Sequence, residues 1–219
     1  MKENNHEHAE GGEHIPFSME TPLREDAFEL DDELKMELIE KHFKEIMLIL
    51  GLDLNDDSLK GTPHRVAKMY VREMFKGLNP KNKPGIKLFD NRYNYKHILL
   101  EKNISFHSVC EHHFVPIMGK AHVAYIPDRK IVGLSKLNRV VRYFALRPQV
   151  QERMTVQIAN LLRDALETPD VAVIMEADHL CVAMRGVQDE GSSTVTSEFC
   201  GRFLDSKVRE ELMRQINMV

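Results

Sequence analysis

The segment "FHSVCEHHFVP", residues 106–116, sets a cysteine, a glutamate and two adjacent histidines inside an otherwise apolar stretch. Such side chains bind metals or carry protons, and either use needs partners from elsewhere in the chain. On a strand, Cys110 and His112 share a face; on a helical turn, Cys110 and His113 do. One histidine joins the cysteine and the other is left free. A thiolate with an imidazole suits zinc best among common ions. Two ligands are not a site, so a third must arrive from a distant segment. "DHLCVAM", residues 178–184, can supply it: Cys181 reads as part of a strand, with His179 two residues earlier on the same side. Cys110, His113 and Cys181 would make a Cys₂His zinc site whose fourth position is open to water, the catalytic pattern. His112 and His179 would stand beside it as unligated imidazoles able to move protons. A closed structural site with His112 as fourth ligand and a plain packed core use the same residues. The chain has no H-E-x-x-H, no paired C-x-x-C and no zinc deaminase signature.

The three cysteines are too few and odd in number for a disulfide framework, and Cys200, with no histidine nearby, reads as a small buried hydrophobe. With 219 residues and 42% hydrophobic content, a sizeable core can form. A formal net charge of -4 excludes a global basic field for nucleic acid or acidic membrane, so anion binding must be local. No apolar run spans a bilayer and the N-terminus lacks a signal-peptide core, so a cytoplasmic protein is expected.

Three regions are expected. Residues 1–28 form a polar, disordered arm in which His6, His8 and His14 are solvated. Residues 29–94 form a helical region. Its first helix is capped by Asp31 or Asp32, carries Leu34, Leu38, Phe43, Ile46, Met47 and Leu50 as its stripe, and stops at Gly51. Its second is capped by Thr62, and a linker marked by Pro80 and Pro84 follows. Residues 95–219 alternate strands and helices. There "KAHVAYIPDRKIVGL" reads as a hairpin, Ser135 caps a helix, Pro148 begins the next, and Val208, Leu212 and Ile216 mark a last one. The class is α+β: an antiparallel sheet with helices on one face, plus an N-terminal helical extension.

Anion ligands come from "GLSKLNRVVR", with Ser135 at a helix start and Lys136 and Arg139 on one face. Arg185 follows the Cys181 segment, and Arg65 and Lys68 share a face of the second helix. With no G-x-x-x-x-G-K-[ST] loop, phosphates would be held rather than cleaved. Taken alone, these charges are a solvated basic face. Gln151 and Glu152 open the long helix. The carboxylate can accept two parallel N–H bonds, as from guanine, or simply favour the helix dipole.

From "TPHRVAKMY" at 62 to "SSTVTSEF" at 199 the chain resembles the GTP cyclohydrolase I family, through "CEHHFVPIMGKAHVAYIP", "IVGLSKLNRVV", "RPQVQERMT", "DHLCVAMRGV" and "GSSTVTS". The resemblance implies a zinc enzyme converting GTP to 7,8-dihydroneopterin triphosphate and formate. It assigns Cys110, His113 and Cys181 to zinc, His112 to proton transfer and His179 to the ribose. It assigns Glu152, with Gln151 beside it, to guanine. Ser135, Lys136, Arg139 and Arg185 match triphosphate contacts, and Arg65 and Lys68 reach the site from a neighbouring subunit. Glu111 falls in a supporting position. The implied architecture is a tunnelling fold in which five subunits close a barrel and two rings form a homodecamer. One departure stands out: "GVQDEGSS" has Gln188 and Asp189 where more basic character is expected. Two rivals remain, a nucleotide deaminase and a zinc-stabilised nucleotide-binding module without catalysis.

Overall fold

In a computed structural model, residues 20–218 are described; most of the polar arm, with His6, His8 and His14, lies outside them. Residues 20–31 carry turns rather than a helix. There the Thr21 hydroxyl accepts from Arg147 Nη1 at 2.9 Å, and the Ala27 carbonyl accepts from Lys35 Nζ at 3.1 Å.

Helix α1 runs Asp32–Ile49, and its N-cap Asp31 accepts from the Leu34 N–H at 2.8 Å. Its apolar stripe is only partly covered. Met36 and Met47 are buried, whereas Leu34, Leu38, Ile46 and Leu50, expected inside, are exposed. The reason is that α1 packs chiefly against α2, Thr62–Lys68, a seven-residue helix too short to cover it. Thr62 is not the cap: Gly61 is, and the Thr62 hydroxyl accepts from Arg65 Nη2. The helix then widens into a π turn over Met69–Met74, which sets Tyr70 and Phe75 against Phe114 with ring centroids 6.4 and 5.5 Å away.

Inside the expected linker, β1 (Leu88–Asp90) pairs with β4 (Lys130–Val132). The hairpin expected from "KAHVAYIPDRKIVGL" therefore does not form. Strand β3 (Pro116–Tyr125) is paired on both sides already, by β2 (Leu99–Cys110) and β6 (Val171–His179), and has no edge left for β4. The main sheet has the order β5-β2-β3-β6-β7, with β5 at Pro148–Gln149 and β7 at Thr194–Phe199. All its pairings are antiparallel except β2 with β5.

Helices α3 (Leu134–Ala145) and α4 (Gln151–Leu166) cover one face, where Phe106, Ile117, Tyr125, Leu137, Met154, Ile158 and Val173 interlock in the main core. The other face is not bare, as a one-sided layer would leave it. Helix α6 (Ser206–Asn217) and the turn before it set Leu212 and Phe203 over Ala124, Ala172 and Ile174. Together these layers are an α+β arrangement. No helix among the described residues is long and apolar enough to cross a membrane.

Two constraints here can be measured. A Cβ on Gly119 would lie 2.2 Å from the Glu176 carbonyl oxygen and 2.5 Å from Ala177 Cβ. Gly119→Ala should cost about 1–3 kcal/mol through overpacking, lowering the urea midpoint without changing the slope. An unchanged midpoint would show that β3 and β6 need no such close approach. His122 is 9% exposed on β3, and its Nδ1 has no partner. Burial, the largest influence, pushes its pKa below the ordinary 6.5, with Lys102 and Lys120 adding and Glu176 opposing. The unfolded chain then binds the proton more readily, so stability falls as pH drops below about 6.5. His122→Leu should flatten that part of a thermal-melt profile against pH.

Candidate active site

The tip between β2 and β3 brings both histidines close to Cys110. The Phe114 N–H donates to the Cys110 carbonyl at 2.8 Å and the Cys110 N–H to the Val115 carbonyl at 2.9 Å. Phe114 closes the turn at φ +55, in the left-handed region. Residues 110–113 thus follow a helical turn, and i,i+3 neighbours meet. Both histidines are exposed, with Nδ1 3.8 Å (His113) and 3.9 Å (His112) from Cys110 Sγ.

Cys181 arrives by topology. Ile117 pairs with His179 in β6, so the end of β6 lies beside the start of β3. Cys181 is not on the strand as expected. Strand β6 ends at His179, and α5 (Leu180–Ala183) is a short helical turn closed by the Met184 N–H on Leu180 at 3.0 Å. His179 and Cys181 therefore do not alternate as strand neighbours. The ligand atoms of Cys110, His113 and Cys181 all lie within 4.8 Å of one another. His112 is not part of this group, so a closed four-ligand set is not assembled among the described residues.

The donors fit zinc. Tetrahedral zinc with bonds near 2.3 Å to sulfur and 2.0–2.1 Å to nitrogen places S and N about 3.6 Å apart, against the observed 3.8 Å. Without a cation, burial pushes the Cys181 thiol up; Cys110 adds to this and Arg185 opposes it. A cation would reverse the balance by favouring the thiolate. Arg185 Nη1 also lies 2.9 Å from His113 Nε2. A guanidinium can only donate, so Nε2 accepts and the ring proton sits on Nδ1. A cation held through Nδ1 would need the opposite tautomer, with Arg185 turned away.

The first turn of α4 organises the rest. Gln151 is 1% exposed, and its amide nitrogen donates to Met175 O, Thr194 O and Thr196 Oγ1 at 3.2, 2.9 and 3.1 Å. Its Oε1 therefore accepts from His179 Nε2 at 2.8 Å. The His179 proton lies on Nε2 and its Nδ1 lone pair is free. Burial lowers the His179 pKa most, with Glu152 and Asp178 opposing. The Gln151 side chain is thus engaged inside the fold, and what it can still offer a ligand is its backbone amide at the helix start. Glu152 is exposed beside it.

Arg153 did not stand out in the sequence. It is 6% exposed, pairs with the Glu111 carboxylate, and donates from Nε to Gln149 Oε1 at 3.2 Å. A signal was present: α4 buries Gln151, Arg153, Thr155 and Gln157 among its core positions. Polar residues on a buried face mark an internal hydrogen-bond network.

Ser135, Lys136 and Arg139 lie elsewhere. The N-cap of α3 is Gly133, not Ser135, which falls inside the first turn. Asn138 binds Glu101 near the start of β2, at 3.1 Å, whereas Cys110 ends that strand. Arg65 is held by Ser58 O and Thr62 Oγ1, and Lys68 is exposed on α2. No hydrogen bond or ion pair among the described residues joins these five to the Cys/His group.

Metal binding gives a direct check. One equivalent of Co²⁺ should produce thiolate-to-metal absorption, lost in Cys181→Ser. Because both thiols must shed protons, affinity should fall as pH drops. Affinity independent of pH, or retained in Cys181→Ser, would remove the thiols from the site.

The family model for GTP cyclohydrolase I matches residues 39–217. GTP cyclohydrolase 1 of Flavobacterium johnsoniae is 53% identical over 208 residues, covering 95% of this chain and 93% of that protein. The Salmonella choleraesuis and Citrobacter koseri proteins of that name are 50% and 49% identical over 203 residues, each covering 92% of this chain and 91% of theirs. With a match of this length and identity, the chain belongs to the GTP cyclohydrolase I family, a family of hydrolases.

Proposed function

We propose that this chain hydrolyses GTP at C8 of the purine and rearranges it to 7,8-dihydroneopterin triphosphate with release of formate, using zinc held by Cys110, His113 and Cys181. The observation that carries this reading is the convergence of two thiols and one imidazole, with no fourth side-chain ligand among the described residues. Zinc there would supply Lewis-acid activation of water near neutral pH.

The chain's own residues do the rest. The Glu152 carboxylate complements the N1–H and N2–H donors of guanine, and the free amides at the start of α4 complement O6. Anchored so, the base presents C8 to the Cys/His group. His112, exposed next to Cys110, moves protons as water adds at C8 and the C8–N9 bond opens. A second water cleaves the formyl group as formate. His179 offers its Nδ1 lone pair at the sugar while Gln151 holds its Nε2–H. Ribose opening, an Amadori-type shift and ring closure follow, and closure returns one water, so one is consumed overall. The phosphates stay intact, held by Ser135, Lys136, Arg139 and Arg185, with Arg65 and Lys68.

These residues support a homo-oligomer. Glu101 and Cys110 are nine residues apart, but a bulge between Glu101 and Ile104 absorbs one of them, which leaves at most about 26 Å at ~3.3 Å per residue; the start of α3 sits at the Glu101 end. One nucleoside triphosphate does not span that. Ser135, Lys136 and Arg139 must therefore serve the site of another copy, as in the decameric tunnelling-fold assembly of five-subunit barrels. The N-terminal helices, residues 29–94, would pack between copies around the catalytic region, 95–219. Free thiol ligands suit the reducing cytoplasm.

Incubation with GTP should release formate in step with a product that becomes fluorescent on oxidation. Ammonia without formate would favour a deaminase and end the proposal. His112→Ser should lower kcat by on the order of 10²- to 10⁴-fold with nucleotide binding retained. Unchanged turnover would take His112 out of the mechanism.

A further inference from the structure

We propose that Arg153 is a positioning residue. Forked between the Glu111 carboxylate and the Gln149 amide oxygen, its buried guanidinium sets the Cys110–His113 turn against the first turn of α4. The proposal rests on the reading of Cys110, His113 and Cys181 as a zinc site.

Glu111 stands between Cys110 and His112 and is held twice. Its N–H donates to the Gln149 carbonyl at 3.1 Å, and its carboxylate takes the Arg153 guanidinium. Gln149 has no freedom to turn. It is 0% exposed, and its amide nitrogen donates to Phe144 O and Gln157 Oε1, both at 3.0 Å. Its Oε1 must therefore face Arg153 Nε. The planar guanidinium meets two acceptors at a fixed angle, which a lysine ammonium cannot do. A charge this buried also needs its partner, so the pair holds only one arrangement.

Arg153 adjoins Glu152 and lies two residues from Gln151, which orients His179. One helical turn therefore fixes the ligand turn, the exposed carboxylate and the second histidine relative to each other. Reactions between positioned groups are sensitive to errors of an ångström. Partners that orient metal ligands typically contribute 10- to 100-fold to affinity or activity.

The test uses the full chain. Zinc affinity is measured by competition with a chromophoric chelator, Co²⁺ absorption reports ligand geometry, and circular dichroism with thermal melting reports the fold. Arg153→Met should weaken zinc binding by about 10- to 100-fold and change the Co²⁺ spectrum. Glu111→Gln should do the same, and the double variant should lose no more than the worse single one. Arg153→Lys, which keeps the charge without the fork, should recover part of the loss. A folded Arg153→Met protein with the parent's zinc affinity and Co²⁺ spectrum would overturn the proposal, even if it melts earlier, because Arg153 would then serve stability alone. If Arg153→Met does not fold, Glu111→Gln decides by the same readouts. A parent chain that binds no zinc sinks this proposal together with the zinc reading. Normal zinc binding without turnover of GTP strikes the proposed function alone.

Discussion

Everything in the candidate site depends on β3 being paired along both edges. Val109 of β2 faces Pro116, and Ile117 faces His179 of β6. Two adjacent residues of β3 thus hold the end of β2, which carries Cys110, and the end of β6, from which the turn carrying Cys181 follows. Register is what makes them meet. A one-residue slip would turn every side chain of β6 to the opposite face and carry Cys181 away. Gly119 helps hold that register, because β6 backbone occupies the space a side chain would need. The sheet brings the donors together before any ion arrives, and the left-handed Phe114 completes the turn that carries His113.

Around this frame the polar interior is closely satisfied. Burying an amide or a guanidinium is unfavourable unless its hydrogen bonds are replaced. Gln151 replaces all of its own, and in doing so leaves a single acceptor for His179. Gln149 does likewise for Arg153. Each saturated amide has one orientation, so the group it faces has one as well. In low-dielectric surroundings such networks are costly to leave half-made, which makes them specific. Stability and positioning come from the same bonds.

Chemistry was easier to read from the sequence than geometry. Cys110, His113 and Cys181 were visible as candidate donors because thiols and imidazoles stand together in two separate segments, and the family resemblance chose between a metal site and a packed core. What the sequence could not show was which way each local choice fell. Cys181 reads as a strand residue because "ADHLCVAM" alternates, yet the strand gives way to a helical turn closed by Leu180 and Met184. Ser135 looks like a cap, but Gly133 takes the extended backbone the cap position needs. Ile131 and Val132 read as the returning arm of a hairpin, but the edge they would pair with belongs to β6. Each miss is a case of tertiary pairing overriding a local signal.

The exposed stripe of α1 and the distant basic helix lead to the same conclusion. Leu34, Leu38, Ile46, Ile49 and Leu50 lie open on one helix, an apolar surface of the kind that marks contact with another protein. Strand β7 pairs only with β6, so its outer edge also lies open. The same chain carries candidate metal donors at one end of β2 and the proposed anion ligands near the other. A monomer would expose these surfaces and leave the proposed phosphate ligands out of reach of the purine. Association of copies covers the surfaces and delivers the cations at once, so in the proposed assembly hydrophobic burial and active-site completion are a single event.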